Sequence, residues 1–188
     1  MLINEFECGL IDSYWDYERQ QVYATSPVEW GDNWCSPLIE VGGLRVYDLN
    51  TGEATVYPTS GYTLGYEFSD DGRYLIISSY PGSVQIRDRE SGELLHTVNV
   101  DEGGGVVHTG GQIELSPDGR YLAIGMRYLR IWDLTTLPDD PSEHKPVYRY
   151  PGPSEHIRVV RFLDNQTIET ETWNGTLRWD VATGTQLP

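Results

Sequence analysis

A short motif recurs along the chain at a nearly constant spacing. Its clearest copy runs from Ser116 to Asp133 and reads as a Ser-Pro-Asp-Gly turn, an apolar strand, a second turn and a strand that ends in Trp-Asp. A second copy runs from Ser69 to Asp88. Two alternating strands bounded by turn residues at these offsets are typical of a β-hairpin. The repetition therefore predicts an array of small β-sheets.

Aspartates mark the period of the repeat. Four of them each end a short alternating strand, with spacings of 40, 45 and 47 residues: Asp48, Asp88, Asp133 and Asp180. Spacings of this size, with little helical periodicity, favour propeller blades over helical solenoids. Three of the aspartates open an Asp-x-x-Thr/Ser-Gly turn, which ends at Gly52, Gly92 or Gly184. The carboxylate can accept hydrogen bonds from N–H groups of the turn, and glycine supplies the positive φ that closes it.

These features give the chain a family resemblance. An apolar residue ends the strand before each acidic turn, at Trp15, Phe68, Leu115 and Phe162. Together with Ser-Pro-Asp-Gly, the Trp-Asp and Tyr-Asp strand ends and the Asp-x-x-Thr-Gly turns, they make the chain similar to the WD-repeat β-propeller family over roughly residues 9 to 188. The chain departs from the family pattern by lacking the Gly-His pair before the first strand of each repeat. The resemblance implies an all-β propeller of four four-stranded blades.

We predict one propeller-type domain over residues 1–188. Its blades are expected at about residues 9–57, 62–100, 111–150 and 156–188, and residues 1–8 are expected to form a closing strand. Blade 4 has barely begun its outer strand at Pro188. The closing strand could complete a four-bladed monomer, it could complete blade 4 of a second copy in an eight-bladed ring, or the chain could be part of a longer propeller. We favour self-association or incompleteness over a closed four-bladed monomer.

The charge balance argues against two classes of partner. The chain has 29 acidic and 13 basic residues, and its formal net charge is −16. Nucleic acids and anionic membranes are bound through a basic surface, so neither is an expected partner. The first seven residues lack the basic and apolar regions of a secretory signal, and no stretch resembles a membrane span. The expected localisation is therefore cytoplasmic.

The sequence predicts no catalytic, cofactor-binding or metal site. There is no Gly-x-Ser-x-Gly motif, and the acidic pairs are better explained by turn formation than by calcium binding. Two widely separated cysteines are typical of reduced core thiols. The four histidines are too far apart for a metal-ligand pattern, at His96, His108, His144 and His156. We therefore expect that the protein is not an enzyme.

One face of the predicted propeller gathers aromatic side chains. The turns between the second and third strands of each blade, and the connections to the next blade, emerge there; we call it the b–c face. Aromatic residues and arginine dominate the energetic hot spots of protein interfaces. The candidate partner-binding residues on this face are Trp30 and Trp34 in a long insertion of blade 1, Tyr80, Arg127 and Trp173.

The predicted function is a non-catalytic scaffold that binds a protein or peptide partner at the b–c face. Two alternatives remain open. In the first, a ligand-binding, glycan-binding or hydrolytic propeller stacks Trp30, Trp34 and Trp173 on sugar rings beside Asp32. In the second, the chain is a half-propeller that assembles with a second copy through its N-terminal strand and blade 4.

Overall fold

The computed structural model describes residues 12–25, 43–61, 63–80, 82–100, 112–125, 128–150 and 156–188. These residues form sixteen β-strands in four antiparallel sheets, and each sheet consists of four consecutive strands. The predicted all-β fold with four four-stranded units is thus confirmed. The predicted closing strand lies outside the described residues. Nowhere in the described ranges is there a helix long and apolar enough to cross a membrane.

The four sheets are numbered in chain order. Sheet 1 contains β1 (Asp12–Asp16), β2 (Gln21–Thr25), β3 (Gly43–Asp48) and β4 (Ala54–Pro58). Sheet 2 contains β5 (Thr63–Phe68), β6 (Tyr74–Ser79), β7 (Ser83–Asp88) and β8 (Leu94–Asn99). Sheet 3 contains β9 (Ile113–Leu115), β10 (Tyr121–Gly125), β11 (Leu129–Asp133) and β12 (Tyr148–Tyr150). Sheet 4 contains β13 (Val159–Phe162), β14 (Thr167–Thr172), β15 (Gly175–Asp180) and β16 (Gln186–Leu187).

Buried apolar side chains join each sheet to the next. One cluster lies between each pair of consecutive sheets, because the strands alternate apolar residues on both faces. Between sheets 1 and 2 these are Tyr23, Leu44, Val46, Tyr66, Leu75 and Ile77. Between sheets 2 and 3 they include Ile76, Ile86, Val98, Leu115, Leu122 and Trp132. Between sheets 3 and 4 they include Ile131, Tyr150, Ile157, Phe162, Ile168 and Trp179.

The face of sheet 4 that points away from sheet 3 is charged. Its central row consists of Arg161, Glu169 and Arg178, which are paired in register across three strands. Arg178 Nε donates to Glu169 Oε2 (3.1 Å), and more than half of each arginine side chain is exposed. The equivalent central residues of the preceding sheets are apolar and buried: Ile76 and Ile86 in sheet 2, and Ala123 and Ile131 in sheet 3.

The Asp-x-x-Thr/Ser-Gly turns share a pattern of hydrogen bonds. Asp88 Oδ1 accepts from the N–H groups of Glu90 (3.1 Å) and Ser91 (2.8 Å), and Gly92 N–H donates to the carbonyl of Asp88 (2.9 Å). The turns at Asp48 and Asp180 repeat these bonds with Thr51 and Thr183. Asp133 instead caps a short 3-10 helix (Leu134–Thr136), where its side chain accepts from Thr135 N–H.

Two of these turns also fit against the preceding sheet. Gly92 lies against the ring of Tyr57 from β4, and Gly184 lies against the ring of Tyr150 from β12. The guanidinium of Arg87 stacks on the same Tyr57 ring, 4.6 Å from its centroid. The corresponding Gly52 of sheet 1 has no atom within 4 Å of where a Cβ would be. Gly92 and Gly184 are therefore needed both for a positive φ and for close packing.

Candidate functional site

The structure describes two of the five predicted partner-binding residues. Both lie at the b–c ends of their sheets, and both are exposed: Tyr80 by 48% and Trp173 by 74%. The other three, Trp30, Trp34 and Arg127, lie outside the described residues, as does Asp32. The described candidates of the b–c face therefore belong to sheets 2 and 4.

Trp173 is positioned by the hairpin between β14 and β15. Its sequence predicts a turn at Asn174-Gly175, but the two residues outside the strands are Trp173 and Asn174. Gly175 is paired with Thr172 and has a φ of 134°. Thr172 Oγ1 accepts from Asn174 N–H (3.2 Å) and so stabilises the turn. This one-residue difference makes Trp173 the first turn residue, where its ring projects beyond the sheet.

An arginine stacks on the Trp173 ring. The guanidinium carbon of Arg158 lies 4.1 Å from the ring centroid. The main-chain N–H of Arg158 donates to the carbonyl of Glu171 (2.8 Å), which fixes the arginine beside the end of β14. Its side chain also lies 3.9 Å from the Glu171 carboxylate, and both side chains are about half exposed. The stack is a cation–π contact that holds the guanidinium at the surface.

Sheet 3 has a similar pair at its own b–c end. The guanidinium carbon of Arg149 lies 4.7 Å from the centroid of the Tyr128 ring, and Tyr128 is 41% exposed. The register of β11 and β12 explains the contact, because Arg149 is paired with Arg130. Tyr128 is two residues before Arg130 and therefore lies diagonally across from Arg149. Sheets 3 and 4 therefore each present an exposed aromatic ring with an arginine on it.

Close packing at Gly125 joins the b–c ends of sheets 3 and 4. A Cβ on Gly125 would lie 2.5 Å from Cγ2 of Ile157 and would also overlap Val160. Gln112 Nε2 donates to the carbonyl of Ile157 (3.2 Å) at the same junction. Arg158 follows Ile157 directly, and Tyr128 is three residues after Gly125. The two arginine–aromatic pairs thus emerge from one packed junction.

The opposite end of the sheets is acidic. It carries the turn aspartates, of which Asp48, Asp88 and Asp180 accept hydrogen bonds from the main chain and from hydroxyls within their turns. These hydrogen bonds hold the pKa of each of the three carboxyls below its usual value. They therefore remain ionised well into the acidic range. The two ends of the array differ in chemistry: one end carries the structural acids, and the other carries the arginine–aromatic pairs of Tyr128 and Trp173.

One carboxyl group has a raised pKa. Burial, followed by the charges of Asp70 and Glu67, raises the pKa of Glu114 to about 8. Glu114 is the central residue of β9 and is partly buried. A buried carboxyl near like charges favours its neutral form. Glu114 therefore keeps its proton at pH 7.

Sequence reasoning missed three residues of this site. Tyr128, Arg149 and Arg158 were not among the predicted partner-binding residues. A signal was available for Arg149, because pairing β11 with β12 across the insertion places it near Tyr128. The contact of Arg158 with Trp173 depends on side-chain rotamers, which the sequence pattern does not specify.

No protein-family model matches the chain, and a search of curated proteins found no significant match. Within the described ranges, no group of three or more His, Cys, Asp and Glu side chains is placed to hold a metal ion. The geometry of the b–c face is therefore the observation from which a function can be inferred.

Proposed function

We propose that the four sheets are blades of a WD-type β-propeller, and that the chain is a non-catalytic scaffold that binds a protein or peptide partner at the b–c face. One observation supports the binding site. The b–c ends of two neighbouring sheets each hold an exposed aromatic ring with an arginine stacked on it, namely Tyr128 with Arg149 and Trp173 with Arg158.

These rings can support binding because burying them against a partner is energetically favourable. A Trp that is 74% exposed can still bury most of its surface against a partner. Rings with two χ angles lose little conformational entropy on binding, and a stacked guanidinium is already partly ordered. Such side chains are the types that contribute most of the free energy at protein interfaces. Four such side chains at one packed junction can anchor a partner.

The proposal can be tested by selecting peptides from a random display library on the purified chain. A Tyr128→Ala/Trp173→Ala double variant removes both rings. The matched control is Tyr17→Ala, because Tyr17 is equally exposed (72%) but lies in the turn after β1, at the opposite end. We expect selected peptides to bind the control with unchanged affinity and to lose about tenfold or more on the double variant.

Two outcomes would contradict the proposal. One is that no peptide is selected by the wild-type chain above the background of an unrelated protein. The other is that selected peptides bind the double variant as tightly as the wild type. Thermal unfolding of both variants checks that a loss of binding is not a loss of fold.

A further inference from the structure

The segment between β11 and β12 packs against the neighbouring sheet. It covers residues 134–147, which we call the insertion, and includes a second short 3-10 helix (Pro141–Glu143). That helix lies beside β8, the fourth strand of sheet 2. His144 follows it directly and is partly buried. The insertion of sheet 3 is thus placed over the last strand of sheet 2.

His144 makes the connection through both ring nitrogens. Asn99 N–H donates to Nδ1 (3.2 Å), and Nε2 lies 2.9 Å from the carbonyl of Pro138. A main-chain N–H can only donate and a carbonyl can only accept, so Nδ1 must be the acceptor and Nε2 must carry the proton. Both contacts therefore need the neutral imidazole with its proton on Nε2.

Protonation of the ring would remove one of these contacts. An imidazolium carries a proton on both nitrogens. The Nδ1–H would then face the Asn99 N–H, and neither of these two donors could accept a hydrogen bond. Asp140 of the insertion itself has a carboxylate whose pKa is lowered by hydrogen bonds from Ser142 and also by the charge of His144. Glu143 and Lys145 flank His144 and are mostly exposed. Asp140 thus offers the imidazolium a partner within its own segment.

In the described strands of sheet 2, the residue bonded to the His144 ring is Asn99. The Asn99 N–H donates to the His144 ring, so this N–H points away from the neighbouring strand β7. The histidine of the same strand, His96, is partly buried, and burial lowers the pKa of its imidazole, which favours the neutral form. The neutral ring therefore bonds to both sheet 2 and the insertion, whereas the charged ring loses its bond to sheet 2 and keeps partners within the insertion.

We propose that the insertion is a proton-controlled latch: neutral His144 holds it on β8 through Asn99, and protonated His144 releases it. Unpaired N–H groups of an edge strand can bind an added strand. Release of the latch would remove the His144 acceptor from the N–H of Asn99 in β8. The acidic form of the protein would then expose a strand edge that the neutral form covers.

Hydrogen exchange of the Asn99 amide in the full chain, measured by NMR at pH 7.5 and pH 5.0, tests the latch. After correction for intrinsic exchange, we expect the protection of Asn99 to fall about tenfold at the lower pH, the equivalent of one hydrogen bond. The amide of Ile86 in β7 reports on global stability and is expected to change much less. A fall of the same size at Ile86 would overturn the proposal, because it would indicate general unfolding.

Two variants separate the role of His144 from other titrations. In His144→Asn, Oδ1 can accept from Asn99 at any pH, so protection should be high and equal at both pH values. In His144→Phe the acceptor is lost, so protection should be low at both. In the control His96→Gln the pH dependence should remain. Unchanged protection of wild-type Asn99, or a pH dependence that persists in both His144 variants, would overturn the proposal.

Discussion

Arg89 Nη2 lies 2.6 Å from Asp16 Oδ2, and this ion pair joins sheet 1 to sheet 2 with both side chains more than 90% buried. The guanidinium also stacks on Phe68, 3.8 Å from the ring centroid. Burial alone would raise the pKa of Asp16, but the N–H of Arg19 and the charge of Arg89 outweigh it and hold the pKa below its usual value. The pair is thus a specific connection between the first two sheets.

Replacing Arg89 should lower the stability of the protein. Arg89→Met leaves Asp16 buried without its main counter-ion, and we expect the free energy of unfolding to fall by about 3 kcal/mol at pH 7. The pKa of Asp16 is lowered in the fold, so the pair stabilises the protein above the unfolded pKa and is lost as the pH falls through the folded one. Urea unfolding at several pH values should show the variant's deficit shrink in acid.

The control for this experiment is Arg19→Met. Arg19 Nη1 lies 3.4 Å from the same carboxylate, but its side chain is 44% exposed. An exposed partner contributes less than about 1 kcal/mol. Equal losses in the two variants would contradict the central role of Arg89.

Two turn glycines provide a matched comparison. Gly52 and Gly92 have φ values of 76° and 73°, but a Cβ on Gly92 would overlap the Tyr57 ring, whereas one on Gly52 would meet nothing within 4 Å. Gly52→Ala should cost about 1 kcal/mol for the left-handed backbone alone. Gly92→Ala should cost about 1–2 kcal/mol more, because Tyr57 and the stacked Arg87 must shift. Chemical denaturation measures both, and equal costs would show that the ring moves freely.

The raised pKa of Glu114 predicts a pH-dependent stability. The unfolded carboxyl ionises near 4.5, whereas the folded one keeps its proton to about pH 8. Stability should therefore fall between these two pH values, because only the unfolded chain loses the proton. Glu114→Gln removes this loss, and it should be more stable than the wild type by about 1–2 kcal/mol at pH 8.5 and equal to it at pH 4.5. Thermal unfolding measures the difference in stability between the two proteins at each pH. A difference that stays the same from pH 4.5 to pH 8.5 would contradict the raised pKa.

The turn aspartates predict the opposite dependence. Hydrogen bonds from Ser91 and Glu90 lower the pKa of Asp88, so its contribution is present above the unfolded pKa and is lost as the pH falls through the folded one. Asp88→Ala should lower Tm by a few degrees at pH 7 and have little effect near pH 2. The control Glu90→Ala keeps the main-chain N–H from which Asp88 accepts a hydrogen bond, so its Tm should be nearly unchanged. A deficit of Asp88→Ala that persists at pH 2 would argue that the turn needs the side chain for another reason.

The repeated part of the fold was accessible from the sequence because it is encoded locally. The carboxylate of Asp88 and the positive φ of Gly92 act within five residues, so the motif itself specifies the turn and the ends of the strands beside it. The strand after this turn, β8, begins two residues after Gly92 for the same reason. Alternation of apolar residues then supplies the buried faces between sheets.

Contacts between sheets could not be predicted in the same way. Asp16 and Arg89 are 73 residues apart, and their pairing depends on how sheet 2 is placed on sheet 1. The stacking of Arg158 on Trp173 depends on rotamers and on a turn shifted by one residue from its sequence signal. The docking of His144 on Asn99 depends on the path of the insertion. In each case the partner is chosen by three-dimensional packing rather than by a local motif.

Three clusters of the described core each lie between two consecutive sheets, and a fourth (Val22, Ala24 and Tyr47) lies on sheet 1. The three clusters between sheets have a consequence for folding order. Each cluster is formed by neighbours in the chain, so the array behaves as a one-dimensional series in which structure can begin at one junction and spread to the next. Sheets 2 and 3 are held on both faces, whereas sheet 4 turns a charged face to the solvent. We therefore expect folding to begin at the junction of sheets 2 and 3, where Trp132 is fully buried.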